Sequence, residues 1–162
     1  TPTSGLAYVI RFRAMSNVIG ALNLHVNNSG GTNLTHAYAT LHNDAGVSLG
    51  SGARTANLAT SFQSGGMIAL PLDVGQFGIV GAYYRARWWI TNSAGTQPTL
   101  TRAGSSSAAI INPGQPTTAV VASTPIGYAS AESGLGDISG AADNIGNITG
   151  ISAAPWLSGA AS

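Results

Sequence analysis

The chain has 162 residues, enough for one domain with a core of its own. Only 7% of them are charged, against roughly 25% in a typical soluble domain, and the net charge is +1. That balance excludes the basic stripe of a nucleic-acid binder, the lack of cysteine excludes disulfides, Cys-ligated zinc and thiol chemistry, and no apolar run approaches the roughly 20 residues of a membrane helix.

Nearly everything reads as strand and turn. "LAYVIRFRA" (6–14) alternates, with Leu6, Tyr8, Ile10 and Phe12 on one face and Arg11 and Arg13 on the other. "NVIGALNLHV" (17–26) sets Val18, Leu22, Leu24 and Val26 inward, Asn23 and His25 outward. After a turn cluster (27–33), residues 35–52 read as two short strands joined by the hairpin signal "NDAG". Residues 55–66 are looser, a short strand or a turn of helix. "MIALPLDV" (67–74) is a strand whose Pro71 favours an edge or a bend. Residues 75–91 lead into the longest expected strand, and 92–99 form a loop.

Beyond residue 102 the composition shifts to Ala, Ser and Gly. "SSAAIIN" (106–112) and "TTAVVAS" (117–123) read as short strands, 127–152 as long loops with one weak strand near Ile148–Ile151, and "APWLSGA" offers a buried Trp156. No helix with convincing period and caps is present. Many short strands with turn signals every 8–12 residues predict an all-β antiparallel sandwich of jelly-roll type. One domain spans 1–162, with the loop-rich 103–162 completing it.

In order and spacing these pieces resemble a β-sandwich domain of tailed bacteriophage structural proteins, especially those of actinobacterial phages, where it occurs in minor tail and tail-fibre-like proteins. The resemblance covers roughly residues 3–158. It rests on the hairpin Leu41-His42-Asn43-Asp44-Ala45-Gly46, on Gly81-Ala82-Tyr83-Tyr84, on Pro98-Thr99-Leu100 and on Trp156. Departures are His42-Asn43 where the family has Tyr-Asp, and the arginines of the 83–90 strand. The absence of lysine, with six arginines retained, fits a GC-rich coding sequence. The resemblance implies a virion structural protein of the tail tip, tail fibre or capsid surface, with no catalytic residues and no cofactor. Its partners would be copies of itself and other virion proteins, with a homotrimer expected for a fibre. A carbohydrate- or receptor-binding module on the virion, contacting a host-surface glycan, is the alternative, and a capsid decoration protein another.

The candidate recognition residues lie on "AYYRARWWI" (82–90). Tyr84, Ala86, Trp88 and Ile90 form a core face. Tyr83, Arg85, Arg87 and Trp89 point the other way, and Arg11 and Arg13 repeat the pattern on the first strand. Three readings are open: a glycan site, a subunit interface rich in the residue types that interfaces favour, or a strand buried on both faces with its arginines paired to nearby acids. A subunit interface is preferred. If the two strands are neighbours, four arginines crowd one surface.

Other chemistry finds little support. His25, His36 and His42 read as lying on separate strands, with His36 and His42 sharing a face only if one strand runs unbroken through both, so no metal site is expected. Asn43, Asp44, Asp137 and Asp143 read as turn residues, without the spacing of a calcium loop. Glu132, Asp137 and Asp143 do not form a recognisable acid/base pair, and no nucleophile elbow or phosphate loop is present. Asn-x-Ser/Thr triplets at Asn27, Asn33 and Asn147 are of the kind that arises by chance. Thr1 is compatible with a processed terminus and with an excerpt of a longer protein alike.

Overall fold

The computed structural model describes residues 1–27, 30–104, 127–130, 132–146, 148–151, 153–155 and 157–160. Trp156 and the two segments at 106–112 and 117–123 lie outside them. The fold is all-β. The strands are β1 (Tyr8–Arg13), β2 (Val18–Val26), β3 (Leu34–Asn43), β4 (Gly66–Phe77), β5 (Tyr83–Asn92), β6 (Arg102–Gly104), β7 (Gly127–Ser130), β8 (Ile148–Ile151), β9 (Ala153–Pro155) and β10 (Leu157–Ala160). A five-stranded sheet has the order β3-β5-β1-β7-β8, a three-stranded sheet the order β10-β2-β4, and β6 pairs with β9. Every strand pairing is antiparallel.

Period-two alternation builds the main core between the two larger sheets. One sheet contributes Ile10 and Phe12 from β1, Ala37, Ala39 and Leu41 from β3, and Tyr84, Ala86, Trp88 and Ile90 from β5. The other contributes Ile19, Leu22, Leu24 and Val26 from β2 and Ile68, Leu70 and Leu72 from β4. Trp88 stacks on Tyr8 with ring centroids 4.9 Å apart. Each large apolar side chain buried here contributes about 1.5–3 kcal/mol.

Two local irregularities follow from the residues. On β2 the inward set starts at Ile19 rather than Val18, because the β2–β4 register shifts between Ile19 and Ala21. Pro71 lies opposite Ala21 just past that shift, on the last strand of its sheet, where a missing N–H costs least. The longest strand is β4, with 12 residues to the 10 of β5, because Gln76 and Phe77 carry its pairing past Val74 to Ile19 and Val18.

The "NDAG" turn forms as its chemistry dictates. Gly46 has φ +85°, its N–H donates to the Asn43 carbonyl, and Asn43 Oδ1 accepts from the N–H groups of Ala45 and Val47. The strand expected after it shrinks to the single bridge His42–Ser48, followed by Gly50 at φ +107°. In the glycine-rich 127–152 stretch, β8 appears at Ile148–Ile151 as expected. β7 was not expected; it pairs with both β1 and β8.

Residues 132–146 form no strand. They cross the outer face of the five-stranded sheet as a strap containing one short 3-10 turn, Ile138–Gly140, in which the Ser139 N–H donates to the Asp137 side chain. A second small core results: Ala7, Tyr38, Trp89 and Leu135, with Ile138 and Ala141 packed against it.

Candidate functional site

The outer face of the β3-β5-β1 sheet is a grid set by register. Along β5 run Tyr83, Arg85, Arg87, Trp89 and Thr91. Across from them on β1 stand Arg13, Arg11 and Val9, and on β3 stand His42, Thr40, Tyr38 and His36. Arg11 lies directly opposite Arg85, so the two strands do bring the four arginines onto one surface. Like charges placed opposite each other repel unless an acid intervenes.

The acids come from this same chain. Asp44, in the hairpin turn, accepts from Arg11 Nε at 2.7 Å and Nη2 at 2.8 Å, and lies 3.9 Å from Arg85 Nε. One carboxylate therefore serves two guanidinium groups. Arg11 also lies 3.8 Å above the Tyr83 ring. Arg13 donates to the Gly81 carbonyl. Arg87 is only 2% exposed; its Nη1 donates to both oxygens of Glu132, at 2.9 and 3.1 Å, and its Nε to Thr40 Oγ1. Trp89 is fully buried and donates its indole N–H to the Gly136 carbonyl at 3.0 Å.

The six candidate residues thus divide in two. Arg87 and Trp89 are covered by the strap. Tyr83, Arg85 and Arg11 keep partial exposure, and Arg13 is exposed, toward the end of the sheet that the strap leaves open. The signal for the strap in the sequence is faint: Leu135, Ile138 and Ala141 recur every third residue within a polar, glycine-rich run.

Burial sets the electrostatics. His42 is fully buried, and its imidazole is pushed down to about 4, first by burial and then by the Arg87 charge. Thr40 Oγ1 links the two residues, accepting from Arg87 Nε and lying 2.8 Å from His42 Nε2. The Arg11 hydrogen bond holds the Asp44 carboxyl below its usual range. Asp137 is lowered by the Ser139 backbone N–H, then by the Ser139 and Tyr38 hydroxyls. Tyr38 is raised, by burial first and then by donating to Asp137 at 3.1 Å.

The other residues weighed for chemistry have other employment. His25 lies on the second sheet, bonded to Thr101 Oγ1; His36 and His42 are not on separate strands but share β3, which runs unbroken from Leu34 to Asn43 and holds them apart with Tyr38 and Thr40 between. Among the described residues, no three potential metal ligands converge. Glu132 binds Arg87 and also accepts from the Ala142 N–H, and Asp137 caps its turn.

No family model, curated protein or solved structure matches the chain. The site's own geometry therefore carries the functional reading, and two further surface features enter it. The first is an apolar end. Met15, Phe77, Ile79 and Val80 are 68%, 90%, 73% and 63% exposed. They sit on two adjacent turns tied together by Gly78 N–H to the Asn17 carbonyl and Gly81 N–H to the Ala14 carbonyl. A crevice of about 130 Å³ opens beside them, between Met15, Ile19 and Gly159. The second is a polar cleft of about 460 Å³ between the 48–54 segment and the strap, with Thr40 and Arg87 in its lining. Neither feature was legible in the sequence.

Proposed function

We propose that this chain is a non-enzymatic structural β-sandwich of a tailed-phage virion, acting by assembly with copies of itself and with other virion proteins. The observation that carries the reading is the apolar end. Four large apolar side chains, each more than half exposed, share one rim with Arg13 and Tyr83. Contiguous exposed apolar side chains bordered by arginine and tyrosine have the composition of a protein–protein contact. The low charge of the chain supports it further, because few ions lose water when such surfaces meet. A closed symmetric oligomer is the arrangement such a self-contact favours. Two of the three acids weighed for hydrolysis are engaged elsewhere, Glu132 with Arg87 and Asp137 with Ser139 and Tyr38.

The reading is tested by mass spectrometry of purified particles of the phage that encodes the chain. Peptides of this chain present at a fixed copy number per particle are expected. Their absence from intact particles, with the protein found only in the lysate, overturns the proposal.

A further inference from the structure

We infer that the cleft between residues 48–54 and the strap binds a neutral saccharide. Its volume, about 460 Å³, lies in the range of small-molecule sites, roughly 300–1,000 Å³. The 48–54 segment brings Ser51 and Arg54 to the lining; the strap brings Asp143 and Asn144, whose Oδ1 is taken by the Ser48 N–H. Between them Ala53 and Ile138 present C–H surface. Hydrogen-bonding groups of both kinds with small apolar patches among them match a ring that carries hydroxyls on its edges and C–H groups on its faces.

Charge decides between neutral and acidic ligands. Both arginines of the lining already hold a carboxylate: Arg87 has Glu132 at 2.9 Å, and Arg54 has Asp73 at 3.5 Å. Asp143 then adds a negative charge, so among the described residues of the lining an anionic ligand meets no uncompensated cation. The cleft is also braced before any ligand arrives. Arg87 ties β5 to β3 through Thr40 and to the strap through Glu132, and the Ser48 N–H donates to Asn144 Oδ1 across the gap. Such bracing lowers the ordering cost of binding. Among the described residues of the lining there is no aromatic ring, so affinity rests on hydrogen bonds, with Kd on the order of 1 mM. The inference is independent of the assembly reading.

The test is a titration of the full chain, with backbone amide shifts read by NMR. The probes are glucose, galactose, mannose, arabinose and maltose, with glucuronate as the acidic comparison. Saturable shifts confined to residues 48–54 and 138–144 are expected with at least one neutral sugar. Arg54→Ala and Asp143→Ala should each weaken that binding about tenfold or more, with the melting temperature and the sedimentation coefficient unchanged. Four results overturn the inference: no saturable shift with any neutral probe, shifts located elsewhere, tighter binding of glucuronate, or variants that bind like the parent. Sedimentation reads assembly separately, so either proposal can fail alone.

Discussion

Arg87 and Glu132 stand 45 residues apart in sequence and meet at 2.9 Å, a buried cation on the central strand held by an acid from the strap that covers it. Removing one member leaves the other poorly compensated, which typically costs about 3–5 kcal/mol. Arg87→Met should therefore lower unfolding stability by roughly 3 kcal/mol or more. Arg87→Met with Glu132→Gln should cost less than Arg87→Met alone, because the orphaned charge is gone. Urea denaturation of Arg87→Met, Glu132→Gln and the double variant checks this; a double-variant loss equal to the sum of the two single losses would mean that the pair is not coupled.

His42 makes stability depend on acid. Its folded pKa, about 4, lies below the unfolded value of 6.5, so the unfolded chain takes up the proton first. The contribution is complete above pH 6.5 and disappears as pH falls to about 4, roughly 3 kcal/mol over that window. Asp44 and Asp137, both lowered, extend the loss at still lower pH, where their carboxylates protonate. Denaturation curves between pH 7 and pH 4 should show this fall, and His42→Asn should reduce it. A profile that His42→Asn leaves unchanged is the contrary result.

The strap should open before the sheet does. Residues 132–146 contribute only Leu135, Ile138 and Ala141 to the small second core, whereas β1, β3 and β5 also line the main one. In hydrogen exchange, amides of the strap should exchange ahead of those in the three strands. Trp89→Phe, which deletes the bond to Gly136, should cost about 1 kcal/mol and speed exchange in the strap selectively. Uniform acceleration across the domain would show that strap and sheet open as one unit.

Two glycines of the hairpin region separate backbone strain from crowding. Gly46 has φ +85° and an added Cβ would lie 3.3 Å from Ile145 Cβ; Gly50 has φ +107° with nothing within 4 Å. Alanine at either position should cost about 1–2 kcal/mol for its backbone alone. Gly46→Ala should cost more, because it also presses on the strap. Thermal melts of the two variants give the comparison, and a larger loss at Gly50 would refute it.

What the sequence revealed and what it hid divide by range of contact. Period-two alternation placed Ile10, Phe12, Leu22, Leu24, Tyr84, Trp88 and Ile90 on core faces, because a strand's sidedness is local. The Asn43–Gly46 turn was equally legible, since its hydrogen bonds close within five residues. Alternation also identified the outward row of β5, but not what lies over it. Covering Arg87 and Trp89 takes Glu132, Leu135 and Gly136, more than 40 residues later in a run with no strand or helix period. Asp44 read as a turn former because a turn accounts for an aspartate without a partner; its bond to Arg11 spans 33 residues. The apolar end stayed hidden because Met15 and Phe77–Val80 become neighbours only through the pairing of β2 with β4 and of their flanking turns.

The central claim is that the chain associates through its apolar end. Sedimentation velocity over a range of concentrations tests it most directly, comparing the parent with Phe77→Ser/Ile79→Ser, which alters two side chains 90% and 73% exposed and leaves the core intact. The parent should form a discrete oligomer, and the double variant should sediment as a folded monomer with an unchanged melting temperature. A parent that remains monomeric at every concentration, or a variant that associates equally well, would contradict the account.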